Sequence, residues 1–463
     1  MDQTLRFDAS LLRRYDKAGP RYTSYPTAVQ FHEAFGETDY RRWIDRTNQR
    51  HPPRPLSLYI HIPFCDTLCY YCGCNKVVTK NRARAEPYLN RLEREIVRQG
   101  ALFDRDRPVD QLHWGGGTPT FISHGEMRHL MEVTRENFAL RDDDDGEYSI
   151  EVDPREVEQA TLGLLRELGF NRISLGVQDL DPRVQRAVNR LQSEEQTFGV
   201  LAQARELGYR STNVDLIYGL PLQTVASFAQ TLEKVVAAGP DRFSIFNYAH
   251  LPDLFKPQRR IRAEDLPPPA EKLAILQSTI DLLTAAGYVY IGMDHFAKPE
   301  DELAVAQRQG KLHRNFQGYS THADCDLVAM GITAIGKVGD CYSQNERGME
   351  DYYRRLDAGE LAIFRGFELD FDDLLRRDVI MELICHFRLD MPDIERAYGI
   401  AFRDYFSEEL ADLAQMQEDG LVELENDSIA VLPVGKLLIR NICMVFDRHL
   451  RERQGAQRYS KVI

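Results

Sequence analysis

No apolar run in this sequence reaches the roughly 18 residues that a membrane-crossing helix needs. The first sixteen residues mix Arg13 and Arg14 with Asp2, Asp8 and Asp16, so neither a membrane span nor a secretory signal is expected. Positive charge is also in short supply: 58 Lys and Arg against 72 Asp and Glu give a net charge of -14. That balance argues against nucleic acid or an anionic membrane surface as the main partner. Cysteine is scarce, 8 among 463 residues. With no secretory signal the expected location is the reducing cytoplasm, where disulfides do not persist. Half of the cysteines nevertheless fall within ten residues.

Those four are Cys65, Cys69, Cys72 and Cys74, in the segment 61–74, HIPFCDTLCYYCGC. Clustered cysteine is often structural zinc, but zinc sites usually bring two separated ligand pairs that clamp two chain segments together. Here all the thiols lie on one loop and no second Cys/His pair follows nearby. A single residue between Cys72 and Cys74 also makes joint ligation of one small ion awkward. The spacing therefore favours an iron-sulfur cluster over zinc, with zinc as the competing reading. Three thiolates on such a loop can hold three irons of a cubane and leave the fourth open.

Apolar, β-rich runs at 58–62, 111–114, 148–152, 172–177, 212–217 and 243–247 alternate with helical periodicity at 88–99, 156–168, 194–207 and 228–238. This predicts α/β architecture with parallel βα units curling toward a barrel. Gly169, Gly208 and Gly239 fit helix C-terminal caps. The chemically suggestive residues cluster after the strands, where such folds build their sites: the cysteine loop, Gly115 to Thr118, Glu151 to Pro154, Gln178 and Asp215. A run at 288–291 is expected to extend the sheet. From about residue 371 short helices precede a hairpin at 421–432, which suggests a small, mainly helical, winged-helix-like domain whose acidic face (Glu408, Glu409, Asp412) does not suit DNA. Residues 1–54 reverse the overall charge, with ten basic against seven acidic residues, and a basic segment laid over a polyanionic substrate is one reading of that excess.

The three-cysteine spacing, the strand before it and the glycine run one βα unit later resemble the radical S-adenosylmethionine superfamily. More closely, GPRYTSYPT at 19–27, the HIPFC entry to the loop, Cys74, HWGGGTP at 113–119, DLIYGLP at 215–221 and NYAHLP at 247–252 resemble the oxygen-independent coproporphyrinogen III oxidases, in order and spacing. The resemblance implies a partial (β/α)6 barrel with an N-terminal extension and the small C-terminal domain. The expected segments are 1–54 covering the substrate, 55–300 the barrel, 301–370 an extension and connection, and 371–463 the helical domain.

The resemblance also implies that Cys65, Cys69 and Cys72 hold a [4Fe-4S] cluster whose open iron takes S-adenosylmethionine. It places Tyr59, Gly116, Gly117, Thr118, Glu151, Gln178, Arg190, Asp215, Ala249 and Ile335 around that cofactor. Glu151 suits the ammonium, Arg190 the carboxylate, and Gln178 or Asp215 the ribose hydroxyls. A second S-adenosylmethionine beside the first, near Tyr71, is a further implication. Tyr59, His61 and Cys74 are candidates for a direct catalytic role, and Arg21, Tyr22, Tyr25 and Gln317 for substrate contact. The implied reaction is oxidative decarboxylation of two propionates of coproporphyrinogen III to vinyl groups, giving protoporphyrinogen IX. It needs an electron donor of flavodoxin or ferredoxin type and an electron acceptor; a monomer is expected. A related haem chaperone and another radical enzyme acting on haem are the alternative functions.

Overall fold

The computed structural model describes residues 5–452, which fold as two compact units. One comprises residues 31–268 and 324–368; the other takes its described residues from 5–30, 269–323 and 369–452.

The first unit is built on six parallel strands in chain order: β1 Leu56–Ile62, β2 Pro108–Gly116, β3 Glu147–Val152, β4 Arg172–Gln178, β5 Ser211–Tyr218 and β6 Arg242–Asn247. Between them run α1 Glu86–Gly100, α2 His124–Asn137, α3 Gln159–Glu167, α4 Glu194–Glu206 and α5 Val225–Ala238. Strand β1 is buried at six of its seven positions, as expected when helices cover both faces of a parallel sheet. The helices begin where the sequence supplies caps. Ser123 with Glu126, Ser193 with Gln196 and Thr224 with Ser227 form reciprocal boxes at α2, α4 and α5. Gly239 ends α5 at a φ of 66°, as expected of a C-terminal cap.

On the other side of β1, a seventh parallel strand, β7 Asp326–Met330, leads into an antiparallel run of β8 Ile335–Val338, β9 Cys341–Asn345 and β10 Ile363–Glu368. A buried ion pair fixes this addition, with Arg107 Nη2 2.5 Å from Asp326 Oδ2 while Gly339 N donates to Asp326 Oδ1 at 2.9 Å. Residues 324–368 thus extend the sheet of this unit; its border after 368 lies two residues from the expected division after 370, whereas the other borders fall after 30, 268 and 323 and not after 54 and 300.

The second unit holds helices Pro269–Ala285, Phe371–His386, Met391–Tyr398 and Ser407–Glu418, together with two hairpins, Val289–Gly292 with His295–Ala297 and His313–Asn315 with Gly318–Ser320. The expected C-terminal hairpin forms as Val422–Leu424 and Ser428–Val431, and Arg388–Asp390 adds a third antiparallel strand. No helix among the described residues is long and apolar enough to cross a membrane.

Candidate active site

The C-terminal ends of β1 to β5 surround a cavity of 220 Å³. The cysteine loop leaves β1 and closes one wall, held by backbone bonds: Val77 N donates to Pro63 O (2.7 Å), Thr79 N to Cys65 O (2.9 Å) and Tyr70 N to Val188 O (2.9 Å). Asn189 Nδ2 donates to Leu68 O at 2.8 Å and Lys76 Nζ to Cys72 O at 3.0 Å. So tethered, the loop presents Cys65, Cys69, Cys72 and Cys74 to the cavity.

The glycine run after β2 lies directly against this loop. Gly117 N donates to Ile62 O at 2.9 Å and Thr118 N to Phe64 O at 2.7 Å. A Cβ on Gly117 would stand 2.6 Å from Phe64 O, so only glycine fits. Gly116 has a φ of +119°, and a Cβ there would stand 2.7 Å from the ring of His61.

Strand alternation puts Glu151 and Asp153, two residues apart at β3 and its exit, on the same face, and both line the site. Glu151 Oε2 accepts from Gly116 N at 3.0 Å, and Oε1 lies 3.5 Å from His113 Nε2. Burial alone would raise this carboxyl, but His113, Gly116 N–H and His61 together hold it below its ordinary value, so it is ionised at neutral pH. Asp215 on β5 accepts from Ser174 Oγ (2.9 Å) and Asn213 Nδ2 (2.8 Å). Burial, opposed by Ser174 and reinforced by the charge of Glu151, pushes it up to about 6. Gln178, at the end of β4, has a φ of 68°, and its buried Oε1 has no hydrogen-bond partner among the described residues.

Two guanidiniums flank Cys69. Arg190 Nη1 lies 3.6 Å from its Sγ and 3.1 Å from Asp153 Oδ2, while Nη2 donates to Gly176 O at 2.5 Å. Arg155 Nη2 lies 3.8 Å from the same sulfur and 2.6 Å from Asp153 Oδ2. Thr118 Oγ1 lies 3.7 Å from Cys65 Sγ. Burial, opposed by Thr118, pushes the Cys65 thiol up to about 12. Cys72 moves the other way, because the thiol of Cys74 donates to it and Lys76 adds positive charge against the effect of burial.

Cys65, Cys69, Cys72, Cys74, Tyr71, Gly116, Gly117, Thr118, Glu151, Gln178, Arg190 and Asp215 all line the one cavity. Tyr59 and His61 do not: Tyr59 stacks on His113 with ring centroids 5.8 Å apart, its hydroxyl is 3.0 Å from His61 Nδ1, and His61 backs Gly116. They support Glu151 and the glycine turn from behind. Ala249 and Ile335 lie outside the lining as well; Ala249 O accepts from Gln258 Nε2 (3.2 Å), which also donates to Tyr71 O (2.9 Å).

The residues expected at the substrate belong to the other unit. Tyr22 is 1% exposed with its hydroxyl donating to Asp447 Oδ2 at 2.9 Å, and Tyr25 is fully buried, accepting from Arg448 N at 3.2 Å. Their polar ends are thus committed within that unit. Arg21 pairs with Asp294 at 2.8 Å, and Gln317 keeps a buried Nε2 with no acceptor among the described residues. Sequence reasoning missed Arg155 and Lys76, although both lie within two residues of motifs it had singled out.

Comparison with known proteins matches residues 59–235 to the radical SAM superfamily and residues 369–438 to the HemN C-terminal domain. The chain is 57% identical over 463 residues to the oxygen-independent coproporphyrinogen III oxidase of Pseudomonas aeruginosa, covering 100% of both, and 54% identical to that of Escherichia coli K12, covering 100% of this chain and 99% of the relative. The chain belongs to the oxygen-independent coproporphyrinogen III oxidase family. The solved structure of coproporphyrinogen III oxidase (HemN) from Escherichia coli, described as a radical SAM enzyme, superposes with a TM-score of 0.92 at 53% identity, covering 96% of this chain and 100% of that one.

Membership of the radical SAM superfamily brings a [4Fe-4S] cluster and S-adenosylmethionine. The residues present fit both groups. Three thiols of one loop face the cavity beside two cationic side chains that reach a sulfur. Gln178 Oε1 and the ionised Glu151 are acceptors able to serve a ligand there.

Proposed function

We propose that this chain converts two propionate side chains of coproporphyrinogen III to vinyl groups by radical oxidative decarboxylation, giving protoporphyrinogen IX. The observation that carries this reading is the convergence of the thiols of one loop with Glu151, Gln178, Arg190 and Asp215 on a single cavity, in a chain that matches proteins named for that oxidase along its whole length.

In this reading Cys65, Cys69 and Cys72 ligate the cluster, and Cys74 stands beside it without completing the set. When bound, the cluster and S-adenosylmethionine supply a carbon-centred radical for hydrogen abstraction from carbon, which no side-chain base achieves at neutral pH on an unactivated position. Glu151, kept ionised by His113 and Gly116 N–H, receives the cofactor's ammonium. Arg190 receives its carboxylate, and Gln178 with Asp215 receives ribose hydroxyls. Gly116 and Gly117 would let the backbone approach the methionyl group, and Ala249 and Ile335 would line the adenine. Tyr71 would border a second S-adenosylmethionine. Each vinyl group requires loss of one hydrogen atom, carbon dioxide and one electron. That electron goes to an acceptor, and a flavodoxin- or ferredoxin-type protein donates the electron that starts each cycle.

The test is anaerobic incubation of reconstituted protein with reductant, S-adenosylmethionine and coproporphyrinogen III, assayed for 5′-deoxyadenosine and the divinyl product. Both should accumulate. 5′-Deoxyadenosine without vinyl product would reject the substrate, and absence of both from cluster-loaded protein would reject catalysis in favour of a haem-binding role.

A further inference from the structure

Within the unit that holds the C-terminal helices, the guanidinium of Arg314 is buried with no counter-charge paired to it among the described residues. Arg314 lies on the hairpin strand His313–Asn315, directly across from Tyr319, with its guanidinium 4.7 Å from the centroid of that ring. The residue is 4% exposed, and its Nε and Nη1 are buried with no acceptor among the described residues. Buried arginine is normally paired, because an enclosed charge without a partner is costly.

Among the described residues, its surroundings do not supply the missing anion. The hydroxyl of Tyr319 is committed to Ile384 O at 3.2 Å. Asp294, the nearby carboxylate, is taken by Arg21 at 2.8 Å. A third guanidinium, Arg440, is 5% exposed and donates to the carbonyls of Gly19 and Pro20. Burial, then the charge of Arg21, with Asp294 opposing and Arg314 adding, lowers Arg440 to about 10. Arg21 and Arg314 thus both act on Arg440 as like charges. The turn of the same hairpin carries a second buried donor without an acceptor, Gln317 Nε2.

We propose that Arg314 is the centre of a carboxylate-binding site completed by Gln317. A planar carboxylate matches the guanidinium fork and would supply the missing negative charge. The carboxylate can come from a tetrapyrrole propionate or from a small free acid. The first source rests on the proposed function, whereas the site itself does not.

Binding of coproporphyrin III, its tetramethyl ester and acetate is measured on the cluster-loaded full chain by fluorescence quenching and thermal shift, in wild type, Arg314→Met and Arg314→Lys. Removing an unpaired buried charge should leave Arg314→Met melting no lower than wild type without ligand. Coproporphyrin III should bind wild type at least tenfold more tightly than Arg314→Met, with Arg314→Lys in between and the ester binding all three alike. If acetate stabilises wild type but not Arg314→Met while coproporphyrin III binds both equally, the site stands and its ligand is a free carboxylate. The proposal is overturned if neither acid distinguishes wild type from Arg314→Met, or if the ester loses affinity in Arg314→Met as the acid does. Should Arg314→Met fail to fold, Arg314→Lys and Gln317→Leu carry the same comparison, and unchanged acid binding in both overturns the site. Lost decarboxylation with retained Arg314-dependent binding would count against the proposed reaction alone.

Discussion

Replacing Gly117 with alanine is expected to unseat the cysteine loop. The new Cβ would stand 2.6 Å from Phe64 O and 2.7 Å from Pro63 C, so one of two backbone segments must move by the better part of an ångström. Neither segment is loose, because Phe64 O accepts from Thr118 N and Pro63 O from Val77 N, both at 2.7 Å. Overpacking of this kind costs about 1–3 kcal/mol. Each hydrogen bond lost as the strand end shifts adds roughly 0.5–1.5 kcal/mol. With both bonds lost the sum is about 2–6 kcal/mol, concentrated where the chain leaves β1 toward Cys65. Urea denaturation of the cluster-free protein measures the stability term, and iron per chain after anaerobic reconstitution measures the consequence for the loop. Gly163→Ala in α3 is the control: nothing lies within 4 Å of its added Cβ, so a gain of about 0.5–1 kcal/mol is expected. Wild-type stability together with wild-type iron content in Gly117→Ala would refute the steric argument.

Glu151→Gln should weaken S-adenosylmethionine binding at least tenfold, on the scale of about 1.5–3 kcal/mol for a hydrogen bond to a charged group. Because this carboxyl is held below its ordinary value, wild-type affinity should be flat near neutral pH and fall only on acidification. Calorimetric titration across pH checks both points. Asp215 is raised from 3.8 to about 6, so the folded state holds its proton where the unfolded chain has lost it. Its contribution to stability is therefore full below about 4 and falls as pH rises to about 6, by on the order of 3 kcal/mol. Asp215→Asn should flatten that slope in urea titrations, and an unaltered slope would show that Asp215 titrates normally. Tyr22→Phe leaves Asp447 short of a buried donor and should cost about 1–3 kcal/mol; an unchanged melting temperature with reduced substrate affinity would instead return Tyr22 to the substrate.

The six parallel strands were legible because each is a short apolar run flanked by helical periodicity, and all six of those runs fall inside observed strands. Strand β7, DLVAM, was missed because its place beside β1 depends on pairing between residues some 270 apart, with Leu58 opposite Val328. Within the site, motif residues at strand ends were readable because parallel strands deliver their C-terminal ends to one rim. Arg155 escaped because the reading of β3's exit stopped at Pro154, one residue short of the guanidinium that reaches Cys69. Tyr22 and Tyr25 show the opposite failure. Their signature stands out locally, but the groups that take their hydroxyls, Asp447 and the backbone N–H of Arg448, lie more than 420 residues further along the chain, and nothing local reveals them.

The central claim is that three thiols hold the cluster and leave one iron for the cofactor. It is tested most directly by the electron paramagnetic resonance spectrum of the reduced cluster with and without S-adenosylmethionine, in wild type and Cys74→Ser. Both proteins should form the cluster, and the cofactor should change the spectrum of each. A spectrum indifferent to S-adenosylmethionine, or a Cys74→Ser protein that assembles no cluster, would contradict it.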